Sequence, residues 1–158
     1  MRCLKVLSIA VSVATPLDAQ DVPSGCYVRD YSEAHLAQNP EQIVDRISII
    51  FGPHDGVLLA DVKVLLANQG SAARDGNGGA YVSETAANFS SPLQFGVECD
   101  GGYFDVIEFD DEAMTIETPG IRISGEGCGG EGIETYLVEA GSEATRYILY
   151  RDELGACF

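Results

Sequence analysis

From Ile43 onward, apolar side chains recur at every second position, in short runs broken by glycine, proline, asparagine and aspartate. Such a chain is confined to strands, because successive side chains of a strand point to opposite faces. Ile43, Ile47, Ile49 and Phe51 share one face against Arg46 and Ser48. After the turn cluster Gly52-Pro53-His54-Asp55-Gly56, the run 57–67 sets Val62, Val64 and Leu66 against Asp61 and Lys63, so the two runs form a hairpin. Residues 68–79, with Asp75-Gly76-Asn77-Gly78-Gly79, form a long loop too flexible to be an element interior. Strands follow at 80–85 and 94–99, joined through 88–92. Asp100-Gly101-Gly102 turns the chain into 103–109, and Asp110-Asp111-Glu112 makes a charged tip before 114–118, where Met114 and Ile116 face inward. Pro119-Gly120 turns into 121–124, and residues 134–139 and 145–151 complete the series, the last with Tyr147 and Leu149 opposite Ile148 and Tyr150. Upstream, Ser32 caps a helix over 33–37, and Asn39-Pro40-Glu41 gives a second helix start. The fold class is mainly β: a small antiparallel β-barrel or sandwich of about eight strands with a short N-terminal helix, the barrel preferred.

The first residues carry a different message. Met1-Arg2-Cys3-Leu4-Lys5 is basic, Val6 to Ala14 is apolar, and Ala19 is a small residue placed for peptidase recognition. These features define a signal peptide over 1–19, a flexible lead-in over 20–25 and one β-rich domain over 26–158, periplasmic or secreted. An apolar stretch of this length falls short of the about 20 residues a membrane helix needs, and Cys3 precedes it, where a lipid-bearing cysteine would follow.

The whole chain has 9 basic and 25 acidic residues, a net charge of −16. Loss of residues 1–19 takes Arg2, Lys5 and Asp18 with it and moves the charge to −17. A surface of that sign keeps an exported protein soluble, repels nucleic acid and anionic lipid, and attracts basic proteins. The partner itself is unknown: if long-range attraction draws in a macromolecule, it is a basic protein or a cation intervenes, and nucleic acid and membrane are not expected.

Four cysteines follow the leader: Cys26, Cys99, Cys128 and Cys157. An even count in an exported chain implies two disulfides, and the absence of C-x-x-C argues against zinc. The first and last strands of a closed antiparallel sheet are neighbours, which predicts Cys26–Cys157. Cys99–Cys128 remains, closing a loop worth about 3–4 kcal/mol in the chain-entropy account.

Catalytic signals are weak. Neither His35, in the capped helix, nor His54, in a turn, belongs to a nucleophile elbow or hydrolase motif. A carboxylate-based hydrolase has many acidic residues to draw on, but only spatial separation defines such a pair. Asp75, Asn77 and Gly79 imitate the start of a calcium loop, yet Ala80 stands where the sixth-position glycine belongs and Ala86 where the bidentate glutamate belongs. The expectation is a non-catalytic binding protein without a cofactor. A lysozyme-inhibitor-like protein, a calcium-stabilised module and a carboxylate hydrolase are the alternatives.

Phe95-Gly96-Val97-Glu98-Cys99-Asp100-Gly101-Gly102-Tyr103-Phe104-Asp105-Val106-Ile107-Glu108-Phe109, continued by Ala113-Met114-Thr115-Ile116, resembles the opening hairpins of bacterial periplasmic inhibitors of C-type lysozyme. The resemblance implies a small disulfide-containing β-barrel. Where that family carries Ser-Gly-x-x-Tyr in its inhibitory loop, this chain reads Ser124-Gly125-Glu126-Gly127-Cys128. Taken whole, with Cys26-Tyr27-Val28-Arg29-Asp30-Tyr31-Ser32, Ala34-His35-Leu36-Ala37, the run from Gly96 to Gly102 and that from Tyr147 to Arg151, the chain is similar to uncharacterised exported proteins of Gram-negative bacteria, which implies a compartment and no activity.

Overall fold

The computed structural model describes residues 22–90, 93–124 and 133–152, with Gly155 and Cys157. The expected leader over 1–19 lies outside them. Nine strands are described: β1 (Gly25–Asp30), β2 (Val44–His54), β3 (Val57–Leu66), β4 (Tyr81–Ser90), β5 (Gln94–Gly96), β6 (Gly102–Phe109), β7 (Ala113–Ile123), β8 (Thr135–Tyr136) and β9 (Thr145–Arg151). Two short helices accompany them, α1 (Glu33–Gln38) and α2 (Gly70–Arg74).

Eight strands close a barrel. Each of β1 to β7 pairs antiparallel with the next, β7 pairs with β9, and β9 returns to β1 through Tyr27↔Arg151 and Val28↔Tyr150. β8 is an extra strand alongside the far end of β7, at Arg122↔Tyr136 and Ile123↔Thr135. The barrel alternative is thus the correct one.

Alternation explains the interior. Ile47, Ile49 and Phe51 on β2, Ala60, Val62, Val64 and Leu66 on β3, Met114 and Ile116 on β7, and Tyr147 and Leu149 on β9 are all buried, and the residues between them are polar, exposed or, at Ile50 and Leu65, half-buried. Four aromatic rings fill the middle. Phe95 stacks on Phe104 at 5.2 Å between centroids, meets Phe51 edge-on at 5.2 Å, and Phe51 meets Tyr27 at 6.1 Å. Such pairs add to the gain from removing their apolar area from water.

One end of the barrel carries α1 and α2. Ser32 caps α1 as expected, its hydroxyl accepting from the His35 amide at 3.2 Å. The second helix start fails: Asn39 closes α1 instead, and Pro40 lies in a turn. The loop 68–79 holds α2, contrary to its glycine content, because Ala72 is buried and the Gln69 amide donates to the carbonyls of Leu36, Asn39 and Gln42. Replacing Ser32 with Ala is expected to cost about 1 kcal/mol. A lower urea midpoint at unchanged slope is the expected readout.

Strand boundaries differ from the sequence expectation where proline and glycine sit inside pairs. β2 runs through Gly52 and Pro53, and the turn is only Asp55-Gly56, both at positive φ, the geometry whose twist matches a hairpin. Residues 88–90 belong to β4, with the Phe89 ring lying over Gly96 on the outer wall. β7 does not turn at Pro119-Gly120 but continues through an irregularity in its pairing with β6. Gly102 stands against the Gly120 carbonyl at positive φ, where any Cβ would collide with that oxygen. β8 is two residues rather than the run 134–139, and β1 is a strand where the sequence pattern indicated only the onset of order.

Candidate functional site

The Cys26–Cys157 disulfide is present, with its Cα atoms 6.0 Å apart and 131 residues between them in sequence. Among the described residues it is the one bridge seen at both ends, against the two expected. Cys99 is itself disulfide-bonded. It lies in the β5–β6 turn at positive φ rather than at a strand end. Cys128, its expected partner, lies outside the described residues, as do residues 125–132 of the glycine-rich segment and all but Ser124 of the Ser-Gly-x-x-Tyr counterpart.

The two histidines sit at opposite ends of the barrel. His35, on α1, has its Nε2 within 2.9 Å of the Gln42 side-chain oxygen and its ring 4.9 Å from that of Tyr31. His54 ends β2, largely exposed, with Asp55 at 3.7 Å. They cannot serve one reaction centre. Asp75 ends α2, and its amide and those of Gly76 and Asn77 bond back to α2 carbonyls, so the calcium-like run is a helix terminus. Among the described residues no three histidine, cysteine, aspartate or glutamate side chains converge as a metal centre would require.

At the end of the barrel away from the helices is a cleft of about 570 Å³, lined by Val22, Ser24, Tyr27, Phe109, Asp110, Asp111 and Arg151. Its floor is the Tyr27 ring. Arg151 donates from Nη1 to the Tyr27 hydroxyl at 3.0 Å, and its guanidinium lies 5.5 Å from the centre of that ring. The hydroxyl in turn points to the Asp110 carbonyl at 3.4 Å. Asp110 Oδ1 accepts from the amides of Ala113 and Glu112, both at 2.8 Å. Those two bonds hold its carboxyl below the ordinary aspartate range, Ala113 contributing most.

The outer wall offers a different surface. Ile148 and Tyr150 on β9 are each 50% exposed and lie beside Thr115 and Ala113 of β7. Ile107 is exposed at the irregularity between Val106 and Glu108 on β6. Asp105, Glu108 and Glu117 stand on the same wall, Glu117 paired with Arg146. The Arg29 guanidinium lies 5.3 Å from the Tyr150 ring and 5.0 Å from that of Tyr31, which fixes Tyr150 in place. Beneath this wall, burial pushes the Tyr147 hydroxyl well above the ordinary tyrosine range, reinforced by Tyr31 and Glu139, and among the described residues that hydroxyl has no hydrogen-bond partner. Burial likewise raises Tyr31, opposed by Arg29.

Neither surface is visible as a site in the sequence: the members of each come from strands far apart in the chain. No family model, curated protein or solved structure matches the chain. The fold and these surfaces therefore stand as the description of the protein: an eight-stranded antiparallel barrel with an added strand, a disulfide between its ends, and no helix among the described residues long and apolar enough to cross a membrane.

Proposed function

We propose that this chain is a non-catalytic, exported binding protein that docks a basic protein on the outer wall of β6, β7 and β9. The observation that carries the reading is the filled barrel. Tyr27, Phe51, Phe95 and Phe104 pack across the interior, among the described residues, where larger or emptier barrels enclose a lipophilic ligand, which favours recognition on the outside. On that outside, Ile107, Ile148 and Tyr150 make an apolar centre and carboxylates make the rim, the usual division between anchor residues and polar surround. A net charge of −16 steers a cationic partner towards such a surface. The disulfide and the leader-like first residues support export.

C-type lysozyme is the natural first probe, being basic and the target that the resemblance in residues 95–117 implies. Binding measured by surface plasmon resonance is expected to weaken as salt rises through the range where surface charges are screened. Tyr150→Ala is expected to raise Kd by about 30-fold, the size of an anchor residue's loss. If neither lysozyme nor a panel of other basic proteins binds at low salt, the reading is wrong. Binding that ignores both Tyr150→Ala and salt would place the contact elsewhere and overturn the proposed wall.

A further inference from the structure

The cleft at the helix-free end of the barrel is lined by charges of both signs that do not meet. Among the described residues the arginine ion pairs are Arg46 with Asp30, Arg74 with Glu41 and Arg146 with Glu117; Arg151 forms none. Arg29 and Arg122 likewise have no ion pair among the described residues; what sets Arg151 apart is that two aspartates line the same cleft without reaching it. Arg151 is instead held by the hydroxyl and ring of a buried tyrosine, Tyr27, while Asp110 and Asp111 line the same cleft. The Asp110 carboxylate is also fixed, since two backbone amides grip its Oδ1 and leave Oδ2 without a hydrogen bond to the described residues. Both charges are thus positioned before any ligand arrives, which removes part of the ordering cost of binding.

We propose that this cleft binds a small zwitterion, a free amino acid or short peptide, with its carboxylate on Arg151 and its ammonium on Asp110 and Asp111. A simple anion would gain Arg151 but meet two aspartates, and a simple cation would gain the aspartates but meet the guanidinium. Only a molecule carrying both charges satisfies both walls. Phe109 and the Tyr27 ring offer apolar cover for a side chain between the two ends, and a volume of about 570 Å³ lies within the range of small-molecule sites. The site is separate from the outer wall of β6, β7 and β9, so each proposal stands or falls alone.

The test uses the mature, disulfide-bonded protein and titrates L-phenylalanine, the dipeptide Gly-Phe and the tripeptide Gly-Gly-Phe, observed by amide chemical shifts. The expected result is saturable shifts at the amides of residues 22, 24–27, 109–111 and 151 for at least one of the three. N-acetylation, which removes the ammonium, and C-terminal amidation, which removes the carboxylate, should each weaken that ligand by about tenfold or more. Asp111→Asn should reduce the preference for the free amine while keeping the preference for the free carboxylate, and Arg151→Gln should lose the preference for the free carboxylate while keeping that for the free amine. Because Arg151→Gln also removes the bond to Tyr27, the blocked peptides on the unaltered protein decide the matter if that variant does not fold. The proposal is overturned if none of the three ligands shifts these residues at about 10 mM, a concentration that detects even millimolar affinity. It is equally overturned if blocked and free peptides bind alike, or if the shifts map outside the cleft.

Discussion

Replacing both Cys26 and Cys157 with serine is expected to lower the unfolding free energy by about 5 kcal/mol, because the bridge closes almost the whole described chain into one loop. Loss of that size equals a large share of the stability of a typical domain. The site of the bridge adds to the case. Among the described residues β1 and β9 are joined by two register pairs, Tyr27↔Arg151 and Val28↔Tyr150, with the Asp152 amide reaching the Cys26 carbonyl at 2.9 Å just beyond them. Cys157 lies next to this seam, its Sγ 3.9 Å from the Tyr27 carbonyl oxygen and 3.8 Å from that of Ile49. The disulfide therefore ties the C-terminal end to the strand that closes the barrel. Urea denaturation of the double variant, which leaves no odd thiol at these positions, measures the loss. Amide exchange in β1 and β9 is expected to accelerate more than in β2 and β3, whose long hairpin does not depend on the seam. A loss below about 1 kcal/mol would show that β1 and β9 hold the barrel shut without the bridge.

The Cys26–Cys157 pairing is legible in the amino-acid sequence, and for a physical reason: in an antiparallel series that closes on itself, the first and last strands must be neighbours. Alternation is equally legible on β2, β3, β7 and β9, where one face is dry and the other more exposed, with the buried Ser48 of β2 as an exception. It fails where side chains do not report their surroundings. In β1 only Tyr27 is buried, and the polar Arg29 packs against two tyrosine rings, so no period-two pattern marks the strand. At Pro119-Gly120 the local signal for a turn is overridden, because the backbone of Gly102 can approach Gly120 closely enough for β6 and β7 to stay paired. At 68–79 the glycines hide the buried Ala72 and the three carbonyls that Gln69 gathers.

The cleft is not legible in the sequence at all. Tyr27 and Arg151 are 124 residues apart, and Tyr27 and Asp110 are 83 apart. In sequence Asp110-Asp111-Glu112 is an ordinary charged hairpin tip and Arg151 an ordinary strand end. Closure of the barrel brings them to one mouth, where Arg151 and the two aspartates line one cleft without forming an ion pair among the described residues. The same closure makes the Ile148 and Tyr150 face of β9 continuous with the acidic outer face of β6 and β7.

Phe95→Ala is expected to cost about 3–5 kcal/mol, the range for truncating a buried aromatic side chain. β5 is only three residues long, so its backbone pairs contribute little and the side chain must hold it in place. Phe95 is fully buried, parallel to Phe104 of β6 and edge-on to Phe51 of β2, and thus connects both sides of the barrel across its axis. Deleting the ring removes its transfer energy and leaves a cavity that the rigid barrel wall cannot collapse to fill. Phe95→Leu keeps most of the volume and is expected to lose less than half as much, which separates packing from any particular need for an aromatic ring. Thermal and urea unfolding of both variants give the two numbers. Where Phe95→Ala still folds, its affinity for lysozyme should equal that of the unaltered protein, since the proposed contact lies on the other side of the wall. A cost under about 1 kcal/mol would mean that the interior tolerates a void, and a barrel that tolerates a void could hold a ligand there. That outcome would remove the observation on which the outer-wall reading rests.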